Sequence, residues 1–232
     1  MVDHPTRATE SFFGRRKGPP LKAKQQRLME TLKPQLALDL ASPAPADPAM
    51  LFDHAPGQLV MEIGYGGGEH LTGQAQTHPD TGFIGVEPFV NGMAKMLVAI
   101  DERGLSNIRL HDDDASALLD WWPAGTLDRV DLLYPDPWPK RRHWKRRFVG
   151  PRNLARITRA LKPGGRFRFA SDIDTYVDWT LRHVSREPAL EWTAGRADDW
   201  RLPWDGWTRT RYEAKAIREG RTPAYLVFRK RG

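Results

Sequence analysis

Short apolar segments alternate with amphipathic, helix-like segments over most of the chain. The apolar runs predict five strands, at residues 58–63, 82–86, 107–110, 129–133 and 166–170. The helical patterns between them predict four helices, at residues 69–77, 88–103, 115–122 and 151–161. Strands and helices in this alternation are typical of a parallel sheet covered by helices on both faces. We therefore expect an α/β fold.

Proline and glycine refine the predicted ends of these elements. Pro88 and Pro151 are predicted to occupy first helical positions, and Gly104 is predicted to end its helix. An earlier helix at residues 22–33 is predicted to stop at Pro34. The C-terminal part is expected to contain a helix at 174–186, a Trp-rich irregular stretch, a short helix at 209–218 and a strand at 224–229.

The first 50 residues differ in composition from the rest. Residues 1–20 are polar and basic and are predicted to form a flexible arm, and the Ala/Pro-rich stretch 41–50 is predicted to be a linker. We therefore expect a basic N-terminal arm, a helix and a linker in residues 1–50, followed by one larger domain in residues 51–232.

Charge is segregated along the chain. The net charge of the 232 residues is +7, but residues 140–170 contain twelve basic and no acidic side chains, whereas residues 35–139 contain sixteen acidic and four basic ones. This pattern predicts two ligands, a cation or an array of hydroxyls for the acidic part and a polyanion for the basic part. The chain has no cysteine and no apolar run of about 18 residues, so we expect a cytoplasmic protein without disulfides, thiolate chemistry or a membrane span.

A glycine-rich turn follows the first predicted strand. The segment VMEIGYGGGEH (60–70) places Gly64 and Gly66 between a strand and a helix, where backbone without side chains lets a ligand approach the sheet edge. The dinucleotide fingerprint would require a third glycine at position 69, which is Glu69. Glu62 at the strand end would also repel a pyrophosphate and suits a cationic ligand. The turn therefore favours S-adenosylmethionine over NAD as the cofactor.

Acidic residues also stand at the ends of the next two predicted strands. Glu87 ends the second strand, and an acid at that place commonly accepts hydrogen bonds from both ribose hydroxyls. The segment HDDDA (111–115) ends the third strand, where a carboxylate can accept from an adenine amino group. Asp114 is the preferred candidate in it because it adjoins the next helix. Since parallel strands end at one sheet edge, we expect these acids and Glu62 to bind the cofactor together.

The fourth predicted strand ends in the segment LLYPDPWPKRRHWKRRFV (132–149). The residue before each proline is expected to be extended, so that PDPWP is stiff and orients Asp136. If the substrate is guanine, one carboxylate can accept from both N1–H and the 2-amino group, and it can stabilise the positive purine that methylation at N7 would create. N7 has a free lone pair, so such an attack would need no general base. The six Lys and Arg residues in 140–147 are predicted to bind phosphates, while His143 and Trp144 either stack on bases or pack.

These segments resemble the bacterial tRNA (guanine-N7-)-methyltransferases. The resemblance is carried in order by EIGYGGGEHL, GVEPF, YPDPWPKRRHWKRRFV, LKPGGRF and TRYE, and it extends from about residue 11 to residue 228. It implies a Rossmann-like class I methyltransferase domain in residues 51–232, with a mostly parallel seven-stranded sheet. It also implies methyl transfer from S-adenosylmethionine to guanine 46 in the variable loop of tRNA. We expect tRNA as the partner, no membrane, no metal, and a monomer or homodimer.

The resemblance also implies roles for individual residues. Cofactor contacts fall on Glu62, Glu87, Asp114 and Asp136, next to Gly64 and Gly66, and Asp136 is also the active-site acid. Substrate contacts fall on Lys140, Asp172, Thr210, Arg211, Tyr212 and Glu213. Contacts with the RNA backbone are expected from Arg15, Arg16, Lys17, Arg141, Arg142, Lys145, Arg146 and Arg147. The family usually has a lysine and a phenylalanine at positions 211 and 212, so the chain departs from its pattern there.

Two alternatives stay open on the sequence. A small-molecule methyltransferase with the same fold would show little salt dependence and would act without RNA. An RNA-binding protein with an inactive methyltransferase fold would bind tRNA without transferring a methyl group, but it gives no reason for four acids at the cofactor edge. Incubation of unmodified tRNA with labelled S-adenosylmethionine, followed by mapping of the label, tests the first hypothesis, which is refuted if label is absent or lies anywhere other than guanine N7.

Overall fold

The computed structural model describes residues 14–232, so the first part of the predicted basic arm lies outside the described residues. The strands are β1 (Gln58–Ile63), β2 (Thr81–Val86), β3 (Ile108–His111), β4 (Leu127–Leu133), β5 (Leu161–Ser171), β6 (Leu190–Trp192) and β7 (Ala224–Lys230). The helices are α1 (Ala23–Thr31), α2 (Lys33–Leu36), α3 (Glu69–Thr77), α4 (Val90–Arg103), α5 (Ala115–Trp121), α6 (Pro151–Ala160), α7 (Asp174–Val184), α8 (Asp198–Arg201) and α9 (Arg211–Arg218). Short 3₁₀ helices cover Pro48–Leu51 and Arg141–Arg146.

The seven strands form one sheet in the order β3-β2-β1-β4-β5-β7-β6. The first five strands are parallel to one another, and β7 runs antiparallel to both of its neighbours, β5 and β6. The order reverses beside β1, because the chain proceeds from β1 outward to β3 and then returns to β4. Ligands of doubly wound sheets bind at such a reversal, outside the carboxyl ends of the strands. The predicted α/β fold with a mostly parallel seven-stranded sheet is confirmed.

Two apolar layers cover the two faces of the sheet. Alternate residues of a strand point to opposite faces, so Met61 and Ile63 of β1 pack with side chains of α5, α6 and α7, whereas Val60 packs with α1, α3 and α4. Leu28 and Leu36 of the first two helices are buried in the second layer. The division of the chain at residue 50 stays a prediction. Among residues 14–232, no helix combines the length and the apolarity that crossing a bilayer requires.

The helix ends predicted from proline and glycine are confirmed at two positions and wrong at two others. Pro151 is the first residue of α6, and Gly104 ends α4 with a left-handed φ of 63°. Pro88 is not a first helical residue, because α4 begins at Val90 after an extended cap. Pro34 does not stop a helix either. It lies in the first turn of α2, where its missing N–H costs no hydrogen bond.

Two parts of the sheet differ from the prediction. Strand β5 begins at Leu161, ahead of the predicted start at residue 166, because its first residue pairs with Leu127 across an irregularity in the register. Strand β6 was missed entirely, and it lies in the stretch between α7 and the Trp-rich segment. Both strand segments depend on pairing with distant partners, which local sequence patterns do not report.

Candidate active site

A cleft of about 880 Å³ opens at the carboxyl ends of β1, β2, β3 and β4. The residues that line it include five of the six predicted cofactor residues: Gly64, Gly66, Glu87, Asp114 and Asp136. They come from four separate strand ends, and the parallel arrangement of the strands brings them to one edge. This is the edge at which the strand order reverses.

The glycine turn lies at the floor of the cleft. Gly64 and Gly66 adopt left-handed φ values of 72° and 58°, which side chains with a Cβ rarely adopt. A Cβ on Gly64 would meet nothing within 4 Å, so this backbone faces open space, whereas a Cβ on Gly66 would lie 3.1 Å from the ring of Tyr212. At Gly64 the turn therefore leaves its backbone accessible to a ligand, and at Gly66 it contacts Tyr212 of α9.

The acids at the ends of β2 and β3 are oriented by backbone N–H groups. Glu87 accepts from the N–H of Gly66 at 2.7 Å and from the N–H of Phe89 at 3.0 Å, which fixes its carboxylate beside the glycine turn. Burial raises the pKa of Glu87, and these two hydrogen bonds oppose the increase. Asp114 caps α5 by accepting from the N–H of Ser116 at 2.9 Å. A carboxylate has about four acceptor positions, so both acids can accept further hydrogen bonds from a ligand.

The segment around Asp136 has a different backbone from the one predicted. Tyr134 and Trp138, which both precede prolines, adopt φ values of 50° and 45° and are not extended. The expectation from the proline rule is therefore wrong for these two residues. Non-glycine residues in the left-handed region cost free energy and persist where the surrounding structure fixes them, often at functional sites. Desolvation within the cleft raises the pKa of Asp136.

Arg147 provides much of that fixation. It also lines the cleft, and its predicted contact with RNA stays a prediction. Its side chain is buried and donates to the carbonyl of Pro137 at 2.9 Å, to the carbonyl of Thr175 at 2.7 Å and to the Thr175 hydroxyl at 3.0 Å. The guanidinium also lies 4.4 Å from the ring centroid of Trp144 and 4.7 Å from that of Tyr176. Arg147 thus connects the loop of Asp136 to the start of α7. Trp144 packs in this cluster.

The other predicted phosphate-binding residues lie at or near the rim of the cleft. Arg15, Lys145 and Arg146 line it, and Arg146 also lies over the ring of Trp138 at 5.0 Å. The remaining members do not line the cleft and are exposed: Arg16, Lys17, Lys140, Arg141 and Arg142. Arg16 forms an ion pair with Asp113 at 2.7 Å. The N-terminal segment and the basic segment therefore approach the same cleft, and positive charge surrounds its acidic floor.

The late substrate segment divides into cleft-lining and buried residues. Arg211 and Tyr212 line the cleft, and Arg211 donates to Glu69 of the glycine turn at 2.6 Å. Thr210 caps α9 by accepting from the N–H of Glu213 at 3.1 Å. Glu213 is buried and does not line the cleft.

Glu213 and Asp172 are both occupied by partners within the protein. Glu213 accepts from Trp207 Nε1 at 2.8 Å and from the hydroxyl of Tyr225. Asp172 is largely buried, is paired with Arg221 and does not line the cleft. Both carboxylates are thus occupied within the protein, and their contact with the substrate stays a prediction.

Glu62 is the one predicted cofactor residue that the structure does not bring to the cleft wall. It is buried, and its Oε2 lies 2.7 Å from His70 Nδ1 on the α3 side of the sheet. The alternation of side chains along β1 explains this position, because Ile63 is the residue that lines the cleft and Glu62 points to the opposite face. A direct contact of Glu62 with the cofactor therefore stays a prediction.

Sequence reasoning missed the contribution of α6. Arg152 and Asn153 line the cleft from its first turn, and Asn153 accepts from the hydroxyl of Ser116 at 3.2 Å. The signal was present, because Pro151 marks a helix start directly after the basic segment. A helix that follows a strand-end loop begins at the same sheet edge as the loop.

Several known proteins with similar sequences carry the same name. A family profile described as "Putative methyltransferase" matches residues 56–226. The chain is 60% identical over 226 residues to the tRNA (guanine-N(7)-)-methyltransferase of Agrobacterium fabrum (strain C58), with 97% of each chain covered. It is 61% identical over 224 residues to the protein of that name from Rhizobium meliloti (strain 1021), again with 97% of each covered. Against the one from Brucella melitensis biotype 1 it is 57% identical over 233 residues, with 100% of each covered.

Solved structures with low sequence identity have the same fold. A 16S rRNA methyltransferase, KamB, superposes with a TM-score of 0.57 at 15% identity, covering 76% of this chain and 89% of that one. A SAM-dependent O-methyltransferase from Thermotoga maritima superposes with a TM-score of 0.51 at 19% identity, covering 79% and 63%. At such identities the likeness establishes the class I methyltransferase fold alone.

S-adenosylmethionine is the cofactor of this chain, and the cleft fits it. The open backbone at Gly64 admits a ligand closely, and three carboxylates at successive strand ends suit a ligand with ribose hydroxyls and positive charge. The relatives at 57–61% identity span nearly the whole chain. The chain belongs to the family of bacterial tRNA (guanine-N7-)-methyltransferases.

Proposed function

We propose that this chain transfers a methyl group from S-adenosylmethionine to N7 of guanine 46 in the variable loop of tRNA. The observation that supports it most strongly is the position of Asp136, in the acidic cleft and immediately before the basic segment 140–147. The shared name of the relatives supports guanine N7 and tRNA. The choice of position 46 rests on the resemblance of the sequence motifs. We also propose a cytoplasmic location.

The cofactor would be bound by the strand-end acids. We assign Glu87 to the ribose hydroxyls and Asp114 to the adenine amino group, with Gly64 and Gly66 against the remainder of the molecule. When bound, S-adenosylmethionine supplies an electrophilic methyl group on a sulfonium centre. The three carboxylates at the strand ends, Glu87, Asp114 and Asp136, favour a cationic ligand with hydroxyl and amino donors at this place.

Asp136 has two tasks in the proposed reaction. Its carboxylate accepts hydrogen bonds from N1–H and the 2-amino group of guanine, which orients the base, and it stabilises the positive charge that the purine gains. The side chain of Asp136 is exposed to the open cleft, and a bound base would shield it from water and strengthen its attraction to cationic groups. Guanine N7 has a free lone pair, so no residue needs to remove a proton.

The basic rim would bind the RNA backbone. Arg15, Lys145 and Arg146 line the cleft, and Lys140 stands at the start of the exposed 3₁₀ helix Arg141–Arg146. Positive side chains neutralise phosphates and release counterions, so binding through them weakens as salt concentration rises. The rim therefore brings the polyanion to the cleft, and Asp136 selects the base.

Mapping of the methyl group tests the proposal. Unmodified tRNA transcripts are incubated with methyl-labelled S-adenosylmethionine, and N7-methylguanine is located by reduction and aniline cleavage of the chain. We expect label at guanine 46, and none on a transcript that carries adenine at that position. Label at another guanine N7 would refute position 46 alone, and label on any other atom would refute the activity.

Asp136→Asn tests the assigned residue, with Asp174→Asn in the exposed first turn of α7 as the matched control. The asparagine keeps the size of the side chain and removes its charge. We expect kcat to fall by roughly 10²–10³-fold, as for the loss of one electrostatic stabiliser in a desolvated site, with tRNA binding retained. The control should have wild-type activity. Lost tRNA binding with unchanged turnover of the bound complex would contradict the role.

A further inference from the structure

A buried polar cluster lies on the sheet face that α3 covers, beneath the glycine turn. It consists of Glu62 on β1, His70 on α3, and Arg129 and Asp131 on β4. The parallel register places Glu62 directly beside Asp131. His70 Nδ1 lies 2.7 Å from Glu62 Oε2, and Arg129 Nε donates to Asp131 Oδ2 at 2.9 Å. The proposed reaction uses none of these four side chains.

The bond between Glu62 and His70 joins the two ends of the glycine turn. Glu62 is the second-last residue of β1, and His70 is the second residue of α3, which follows the left-handed cap Gly68. The residues between them include Gly64 and Gly66, which line the cleft. Closing a short loop at its base removes conformations that its backbone would otherwise sample. The buried pair of Glu62 and His70 therefore limits the backbone conformations of the glycine turn, and it does so from the side of the sheet opposite the cleft.

His70 also contacts the segment that leads to α9. Its ring lies 5.0 Å from the ring of Trp207, centroid to centroid. Trp207 donates from Nε1 to Glu213 of α9, the helix that Thr210 caps. The indole therefore supports the first turn of α9, which contains the cleft-lining residues Arg211 and Tyr212. The imidazole of His70 thus contacts both β1, through Glu62, and the segment ahead of α9, through Trp207.

The charges around His70 favour its cationic form. Burial opposes protonation, but the charge of Glu62 and its hydrogen bond, with a further contribution from Asp131, raise the pKa of His70 despite opposition from Arg129. Arg168 on β5 stands beside Asp131 in the register, and Gln74 of α3 lies near Arg129. The basic side chains balance the two carboxylates, so the cluster is an ion-pair network in which no additional cation is needed.

We propose that His70 is a positioning residue that sets the glycine turn through Glu62 and the late substrate segment through Trp207. One side chain thereby fixes the placement of the cofactor site relative to the guanine site. The inference rests on the proposed function, because the second of these sites is the one assigned to the tRNA base.

Two substitutions separate the two contacts. His70→Asn retains a donor for Glu62 and removes the ring that contacts Trp207, whereas His70→Phe retains a ring and removes the donor. We expect His70→Phe to raise the KM for S-adenosylmethionine about tenfold with an unchanged KM for tRNA, the size of one lost buried hydrogen bond. His70→Asn should raise the KM for tRNA and leave that for the cofactor unchanged. The control is His78→Asn, at the exposed end of the same helix.

The outcomes decide the proposal in each case. If both variants lower only kcat or the melting temperature, or if both raise the same KM, the positioning role is overturned. Because His70→Phe leaves Glu62 buried without its partner, circular dichroism checks the fold of that variant. Glu62→Gln, which removes the charge and keeps the shape, replaces it if it does not fold and should raise the same KM.

Failure of the proposed function is recognised separately. In that case the wild-type protein yields no tRNA methylation and no KM for tRNA. The contact of His70 with Glu62 is then still tested by calorimetric titration of wild type and His70→Phe with S-adenosylhomocysteine. Equal affinities would overturn the effect on the cofactor turn.

Discussion

Arg147 differs from the other basic residues of the segment 140–147 because its side chain is buried. If Arg147 fixes the loop of Asp136, it does so through the several N–H donors of its planar guanidinium group. The substitution Arg147→Lys removes this donor geometry and keeps the positive charge. If it bound RNA as a charge, lysine would replace it with little loss. The substitution therefore separates a structural anchor from a phosphate contact within one basic run.

The size of the effect follows from three hydrogen bonds to two residues. Arg147 donates to the carbonyl of Pro137 and to the carbonyl and hydroxyl of Thr175, and a lysine ammonium can reach only part of this set. Hydrogen bonds that involve a charged group contribute about 1.5–3 kcal/mol each. With two bonds lost and some acceptors regaining water, we expect the free energy of unfolding to fall by about 2–4 kcal/mol. For a domain of this size, the melting temperature should fall by roughly 4–16 °C.

The assay compares Arg147→Lys with Arg141→Lys, an exposed position in the same segment. Urea denaturation gives the free energy of unfolding, and initial rates give kcat and KM for tRNA. We expect Arg147→Lys to be less stable and to have a lower kcat, with a KM for tRNA similar to that of the control. A variant as stable as wild type with a raised KM for tRNA would refute the anchoring role and would instead support a contact of Arg147 with RNA.

Three further predictions follow from buried groups and from charge. Glu213→Gln should lower the free energy of unfolding by about 1–3 kcal/mol in urea denaturation, because Trp207 and Tyr225 donate to different oxygens of the carboxylate and the amide keeps only one acceptor oxygen; an unchanged midpoint would contradict those contacts. Lys145→Ala should reduce the slope of log Kd for tRNA against log salt by about 1 in a filter-binding titration, and an unaltered slope would remove Lys145 from the interface. Since the pKa of His70 is raised, its stabilisation is complete below the unfolded value of about 6.5 and is lost as pH rises through the higher folded value. The stability difference between wild type and His70→Asn should therefore shrink above that pH, and a difference independent of pH would contradict the ion pair.

The sheet and its helices were predictable because most of their signals are local. β1 and α3 have the predicted bounds, since an apolar run, a glycine turn and an amphipathic helix follow one another without overlap. The beginning of β5 was not predictable, because the segment LKPGGRF has the composition of a turn and becomes a strand only by pairing with β4. The short strand β6 likewise exists through its pairing with β7.

The cleft was predictable from the rule that parallel strands end at one edge, and the rule places Glu87, Asp114 and Asp136 there. It does not specify which of two adjacent residues at a strand end faces the cleft, so it also predicts Glu62 there. The alternation along β1 contains that information, because Val60 and Glu62 share a face. No sequence signal distinguishes Arg147 from Arg146, since only the three-dimensional position of Thr175 makes one of them an anchor.

The loop of Asp136 shows how an acid and a basic run can be neighbours without neutralising each other. Tyr134 and Trp138 have left-handed backbones on either side of Asp136, and such conformations cost about 1–3 kcal/mol each. Arg147 binds the carbonyl of Pro137 between them, and Arg146 lies over the ring of Trp138. Two arginines of the basic segment thus contact the loop backbone or its indole, while its remaining basic residues reach the rim or the solvent. Because the strained backbone sets the direction of the carboxylate, its charge remains available for a cationic ligand in the cleft even though six basic residues follow it within the next eleven positions of the sequence.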